Sequence, residues 1–462
     1  MTVSTVALGL PPGIVNLIQD RTLERVFHDA LYPRLLYRSE AIAEEWAANL
    51  GERMVFTRAG LMDVDLTPLT PGMDPSLGSY EMEQWECQAN QYGKSIDTHM
   101  PTNYVALAPI VLRNVVQLGL NAAQAMNRLT RNPLYRAYLG GSSVNILVAA
   151  IGATQITVAS LDGFTERVSN ARILPISPAN PLPVTFSNAE PANTAIGFAP
   201  LNPAQPFGPG VLTLGAALTV GLPLRTGVFA STRSAITRVG GAATVDGLVG
   251  TNILTLQDII NTVARMRAQN VPPTPDGYYH VHVTPEGEAQ LFADNQFQRL
   301  YQSLPDSAAY RDLAIGQLVG CRFYRNTENP NTDNSGALVD SSGGAGSARI
   351  APDLGGEVLN QSGLAIRRAI VLGGGTIYEK YLDESKFISE AGVTGKIGEF
   401  SVVNNGVAIM AQRIRFIMRS PLDRLQQVVS MAWSWSGDFP IPSDGLTGSA
   451  ARFKRAAIIE HA

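Results

Sequence analysis

The sequence predicts an α+β protein of two or three packed lobes, and three observations carry that prediction. Its 462 residues exceed what one hydrophobic core normally supports. Helical and extended patterns occupy separate blocks along the chain. With 45% hydrophobic and only 16% charged residues, the chain is that of a folded protein with little charge for a lone monomer, so further surface is expected to be hidden against neighbours.

The first fifty residues read as an arm. Leu17, Ile18, Leu23, Val26 and Phe27 interleave with Asp20, Arg21, Glu24 and Arg25 at helical spacing, and Pro33 interrupts the pattern. A second helix is expected from about Ser39 to Leu50, with Ile42, Trp46 and Leu50 on one face. Two extended segments follow, Met54 to Leu66 and Tyr80 to Ile96, on either side of a Pro/Gly-rich stretch from Thr67 to Pro75. They read as a long hairpin whose tip is expected to project and find order against a partner. A dozen paired residues at about 3.3 Å each extend roughly 40 Å, farther than a monomer normally sends an unsupported ribbon.

A long helix is expected from about Asn103 to Asn132, roughly 45 Å at 1.5 Å per residue. Pro109 is tolerable only near its start, and Pro133 should mark its end. Residues 142 to about 250 are poor in charge and rich in Pro, Gly, Ala, Thr and Asn. Short β runs at Gln155 to Ala159, Leu182 to Phe186 and Gly210 to Leu214 mark an inserted β-rich domain. An α/β region follows. Thr255 N-caps a helix that closes before Pro272 and Pro273, Tyr278 to Val283 is a strand, and Thr284 with Pro285 opens the next helix toward Leu300. Asn326 to Ser347 is too polar and Gly-rich to pack a core and is expected to be an exposed, mobile loop. Strands return at Ala365 to Leu372, before the Gly373-Gly374-Gly375 turn, and at Val407 to Met418 and Leu425 to Trp435. In the last, Leu425, Val429, Met431, Trp433 and Trp435 are expected to share a face.

Composition narrows the function. The balance of 35 Lys and Arg against 39 Asp and Glu, a net charge of -4, argues against a DNA reader relying on basic grooves. Cys87 and Cys321 stand in no metal-binding pattern and are read as free thiols. No apolar run of about 18 residues occurs, and the start lacks the features of a signal peptide, so a soluble protein made in a cytoplasm is expected.

No acid, base, nucleophile or metal constellation converges, so no catalytic residue, cofactor or metal is predicted and the chain is not expected to be an enzyme. His280 and His282 share a strand face near Glu286 and Glu288 but lack an evident third ligand. Gly373-Gly374-Gly375-Thr376 lacks the Lys-Ser/Thr ending of a P-loop, and the Ser434-Trp435-Ser436-Gly437-Asp438 stretch is no nucleophile elbow. Asp63 and Asp65 read as a solvated hairpin edge, and Lys94 as a surface lysine.

The order of parts resembles the Hong-Kong-97-type fold of tailed-bacteriophage major capsid proteins, across nearly the whole chain. Matching segments are Gly51-Glu52-Arg53-Met54-Val55-Phe56 opening the extended loop, Gln91-Tyr92-Gly93-Lys94 before the spine helix, and Gly277 to Pro285 as the strand-to-helix step. Ile315 to Gly320 and Asp423 to Gln427 also fit, and the set is most similar to the podovirus-type capsid family. The resemblance implies six parts: an N-terminal arm over 1–50, an extended loop hairpin over 51–100, and a spine helix with peripheral domain over 101–141. The inserted β-rich domain at 142–250, an axial-type lobe with part of the peripheral domain at 251–395, and closing peripheral strands at 396–462 complete them.

It further implies hexamers and pentamers in an icosahedral shell around double-stranded DNA, with a portal protein, a scaffolding protein and a decoration protein as partners, assembled in the host cytoplasm into the virion. Intersubunit contacts would fall at Leu23, Phe27 and Leu31 in the arm, Leu69 and Met73 at the loop tip, and Gly373, Gly374, Gly375 and Thr376 near the axis. An encapsulin-like compartment shell is the nearest alternative, and a β-rich glycan-binding adhesin a more distant one.

Overall fold

A computed structural model describes residues 22–31, 36–46, 51–59, 82–105, 110–139, 141–161, 163–169, 172–203, 208–230, 236–302, 316–326, 339–340, 349–350, 358–359, 364–386, 395–397, 400–403, 406–421, 423–425, 427–442 and 455–462, with isolated positions between. The chain is α+β.

In chain order, the first half holds α1 (Thr22–Leu31), β1 (Ile42–Glu45), β2 (Arg53–Ala59), β3 (Met82–Gln88), β4 (Asn90–His99), α2 (Met100–Val105) and α3 (Ile110–Leu139). Short strands follow: β5 (Ser142–Val144), β6 (Gln155–Val158), β7 (Glu166–Ser169), β8 (Arg172–Pro175), β9 (Leu182–Phe186), β10 (Asn193–Pro200), β11 (Gly210–Leu214), β12 (Gly227–Ala230) and β13 (Ile236–Arg238). The α/β part comprises α4 (Leu256–Ala268), β14 (Tyr279–Val283), α5 (Pro285–Ala293), α6 (Asn295–Gln302), β15 (Gln317–Leu318), β16 (Cys321–Arg325), β17 (Val339–Asp340), β18 (Arg349–Ile350), β19 (Val358–Leu359) and β20 (Ala365–Leu372). The last strands are β21 (Tyr378–Tyr381), β22 (Gly395–Ile397), β23 (Phe400–Val403), β24 (Gly406–Ala411), β25 (Ile414–Arg419), β26 (Val428–Asp438) and β27 (Ala456–His461).

These elements form two compact units. The first gathers residues 1–56, 86–131 and 377–440, and the second 57–85, 132–376 and 441–462.

The first unit is built on an eight-stranded sheet in the order β1-β21-β26-β25-β24-β23-β22, with β4 also paired to β26. The stretch expected as a second arm helix is instead a 3-10 turn at Arg38–Glu40 followed by β1, which runs parallel to β21. Helical spacing of Ile42 and Trp46 misled because a strand whose backbone is paired with β21 obeys that pairing, not local periodicity. Residues 47–50 lie outside the described residues. The segment read as one extended run from Tyr80 to Ile96 breaks at Ala89: β3 pairs with β2, whereas β4 pairs with β26 from His99 opposite Val428 to Asn90 opposite Gly437.

Val407 to Met418 proves to be a hairpin. Gln412 and Arg413 sit at its two-residue turn with φ of 50° and 62°, the left-handed geometry such turns require. In β26, Val429, Met431, Trp433 and Trp435 are buried as expected, but Leu425 is 74% exposed, because it precedes the strand in a turn. There Asp423 accepts from the Gln427 and Val428 N–H groups.

On this sheet packs the first part of α3, through Val115, Leu118, Ala122, Ala123 and Met126. Gly119 lets α1 approach closely, since a Cβ there would lie 2.8 Å from the Ala30 methyl. Pro133 does not end α3, which continues to Leu139. An internal proline costs about 3 kcal/mol. Burial of Leu134, Tyr135 and Tyr138 beyond it, each contributing roughly 1.5–3 kcal/mol, outweighs that cost.

In the second unit, strands between Ser142 and Ala230 form an antiparallel sheet in the order β5-β12-β9-β10-β11-β6. Its two end strands meet: Ile146 N–H donates to the Thr157 carbonyl at 2.9 Å, and Ala159 N–H to the Val144 carbonyl at 2.9 Å. The sheet is therefore a closed barrel. Alternating burial along β9 and β11 turns Leu182, Val184, Phe186, Leu212 and Leu214 into its core with Ile156, Val158, Phe164 and Val228.

Beside the barrel, a seven-stranded mixed sheet runs β13-β27-β20-β14-β16-β15, with β19 on β20. Thr255 and Asp258 form the capping box of α4, and Thr284 accepts from Gly287 N–H at the start of α5. Asn326, expected in the polar loop, is buried, and its Nδ2 meets His282 Nδ1 at 3.2 Å. Most of the stretch that follows lies outside the described residues, though β17 pairs with β18.

Candidate functional site

The features that single out part of this molecule are unsatisfied surfaces. The strands β2 and β3 form a two-stranded sheet of their own, and Val55 on β2 is 60% exposed. An isolated two-stranded ribbon is marginal in water. Its base is tied down: Ala89 N–H donates to the Glu52 carbonyl, Gln88 N–H to Asp438, and the Lys380 ammonium lies 4.7 Å from the Phe56 ring centre. Next along the chain, β4 is ten residues long and pairs only with β26 among the described residues, so its other backbone edge is open. Lys94 is exposed on that strand.

Two buried carboxylates stiffen the sheet that carries these features. Glu379, fully buried, accepts from Arg38 Nη2 at 2.5 Å and Arg413 Nη2 at 2.8 Å, while Arg38 also donates to the Gln412 carbonyl. This holds the left-handed turn at Gln412 and Arg413 and ties the turn before β1 to the sheet. Burial lowers the Arg38 pKa, opposed by Glu379. Glu384, 2% exposed, accepts from Ser434 Oγ at 2.8 Å and Ser436 Oγ at 2.6 Å, and forms an ion pair with Arg415 Nε at 3.1 Å.

Several residues expected as contacts are buried within the chain. Leu23 and Phe27 are 0% and 1% exposed, and the Phe27 ring lies 4.8 Å from that of Phe416. At these two positions the amphipathic face of α1 packs against its own chain. The Leu31 side chain, Leu69 and Met73 lie outside the described residues, as do Asp63 and Asp65.

Gly373, Gly374 and Thr376 are buried within the chain. A Cβ on Gly373 would lie 2.6 Å from Val271 Cγ1, and one on Gly374 2.3 Å from the Pro273 carbonyl oxygen. Gly375 supplies a φ of 71°. The Thr376 hydroxyl donates within the turn to the Gly373 carbonyl at 2.6 Å. Gly373 and Gly374 permit close internal approach, and Gly375 is half-buried.

His280 and His282 do not converge on a metal. His280 Nε2 contacts Asp276 at 2.8 Å, His282 stacks on Tyr324, and Glu288 pairs with Arg325. No group of three metal-ligating side chains occurs among the described residues. Cys87 and Cys321 are free and buried, and burial pushes the Cys321 thiol up to about 11. No helix among the described residues is long and apolar enough to cross a membrane.

Sequence reasoning missed one surface. At one end of the barrel Leu147, Val148, Ile151 and Val220 are 44, 71, 72 and 40% exposed. Their loops are held together by bonds between Ala149 and Leu222, and the buried Glu190 carboxylate accepts from the Thr219 and Val220 N–H groups. The uncharged run from Ser142 to Leu161 was the available signal.

No family model matches the sequence, and no curated protein matches it. Among solved structures, the chain is similar to the capsid of Ralstonia phage GP4, at 11% identity and a TM-score of 0.47, covering 92% of this chain and 90% of that one. It is also similar to the cyanophage Pam1 capsid asymmetric unit (11% identity, TM-score 0.47, 94% and 92% covered) and to the head of Helicobacter pylori bacteriophage KHP40 (10%, 0.40, 91% and 87%).

Proposed function

We propose that this chain is the major capsid protein of a tailed bacteriophage, a structural subunit that assembles as hexamers and pentamers into an icosahedral shell around double-stranded DNA. The observation that carries the reading is the ribbon β2–β3, paired only with itself among the described residues and followed by a long strand with one open edge. A lone monomer gains nothing from such surfaces, whereas a shell uses them to clasp neighbours. Weak contacts then add through high effective concentration.

The order of parts supports the same reading: arm, ribbon, spine helix α3, barrel, mixed sheet and closing strands. Here 1–50 is the arm, 51–100 the extended loop, and 101–141 the spine with peripheral domain. The barrel belongs to the insertion at 142–250, 251–395 is the axial-type lobe, and 396–462 closes the peripheral domain. Leu69 and Met73, in the connection between β2 and β3, are the proposed tip contacts. Portal, scaffolding and decoration proteins are the expected partners, and assembly in the host cytoplasm delivers the chain to the virion. The role is structural, not enzymatic.

Velocity sedimentation tests this. Full-length chain, alone or with a scaffolding protein, should form large closed particles, and a variant with residues 57–85 replaced by an Asn-Gly turn should keep its circular dichroism but stay small. Equal assembly by the variant would sink the reading.

A further inference from the structure

We propose that Arg415 and the cavity beside it form a binding site for a carboxylate group. The cavity, of about 400 Å³, lies within the first unit and is lined by Ala89, Asn90, Gln91, Leu382, Glu384, Arg415 and Ser436. At its wall the Arg415 guanidinium is held from one side only. Nε donates to Ser434 Oγ at 3.2 Å and lies 3.1 Å from Glu384 Oε2 as an ion pair, and no hydrogen bond engages Nη1 or Nη2 among the described residues.

The Glu384 carboxylate is itself anchored by two serine hydroxyls, so the guanidinium plane is fixed before any ligand arrives. A planar fork with its Nε edge locked and its Nη edge free matches the two oxygens of a carboxylate. Arg415 already shares its charge with Glu384, so a singly charged planar anion fits better than a doubly charged phosphate. Asn90 and Gln91, both exposed, supply side-chain amides at the rim. The site holds whether or not the chain builds a shell, because it belongs to one subunit. Its carboxylate has two possible sources: an Asp or Glu side chain of a second copy, or a free small carboxylate.

The test is titration of sodium succinate into the soluble full-length chain by calorimetry, against sodium chloride at equal ionic strength. Saturable succinate binding is expected, weakened at least about tenfold in Arg415→Lys, which keeps a charge opposite Glu384 but loses the fork. Gln91→Trp, which fills the cavity without touching the buried pair, should abolish it. No saturable binding, or equal binding by wild type and both variants, would overturn the proposal. Sedimentation assigns the source: self-association reversed by succinate but not by chloride identifies an acidic side chain of a second copy, and self-association indifferent to both identifies a free carboxylate.

Discussion

The barrel between Ser142 and Ala230 and the ribbon between Arg53 and Gln88 are both antiparallel β structure, yet they solve the edge problem in opposite ways. In the barrel, hydrogen bonds between the stretches around Val144 and Thr157 join the first strand to the last, and an apolar core fills the interior. Its ends also meet, since Ala230 N–H donates to the Gly141 carbonyl at 2.8 Å. The ribbon has two strands and an exposed valine, and the strand that follows it pairs along one edge only among the described residues. Closure leaves the barrel no free strand edge, whereas the strand after the ribbon keeps one open among the described residues.

The largest effect should come from separating the two. A fragment of residues 141–231 should unfold cooperatively on its own in urea, and residues 51–100 alone should show no transition; a structureless barrel fragment would break the comparison. Next, Glu379→Gln should lower the stability of the sheet that carries the ribbon by about 3–5 kcal/mol, because Arg38 is left buried without a counter-charge. Denaturant melts of the full chain would read this.

Acid should then divide the regions. Burial lowers the His461 pKa from 6.5 to about 4, with backbone contact at Ala462 opposing and Arg367 adding. The unfolded chain therefore takes up a proton first, so stability is full above pH 6.5 and falls as pH drops toward 4. The loss is on the order of 3 kcal/mol at most. None of the five histidines lies in the barrel, so the 141–231 fragment should not show this loss, and His461→Phe should remove it from the full chain.

Much of the barrel could be read from sequence because its signals are local. Leu182 to Phe186 and Gly210 to Leu214 alternate as strands whose one face is buried must, and both appear with those bounds. Thr255 and Thr284 were legible for the same reason, since a cap acts within one turn. The errors lie where a distant partner decides. Ile42–Glu45 is a strand because Tyr378–Tyr381 lies beside it, and α3 passes Pro133 because Leu134 and Tyr135 find a core. The pairing of Arg415 with Glu384 had no sequence signature, because it depends on segments brought together by the fold, and the exposed apolar surface at Leu147 to Ile151 left only the uncharged run around it as a signal.

Two smaller effects sharpen the contrast. Glu190→Gln should cost the barrel about 1–3 kcal/mol by weakening charge-assisted bonds to Thr219 and Val220, measurable on the fragment. Val55→Ser on the ribbon should change monomer stability by less than about 0.5 kcal/mol while slowing assembly, since that side chain is exposed in one copy. A large loss of monomer stability would show that the ribbon is already packed.

The central claim, that the ribbon and the open edge are completed by other copies, is tested most directly by electron cryomicroscopy of the full-length chain, alone and coexpressed with a scaffolding protein. The account predicts closed icosahedral shells in which the 53–88 ribbon of one copy lies across another. Compact monomers under both conditions, or shells in which the ribbon folds back on its own subunit, would contradict it.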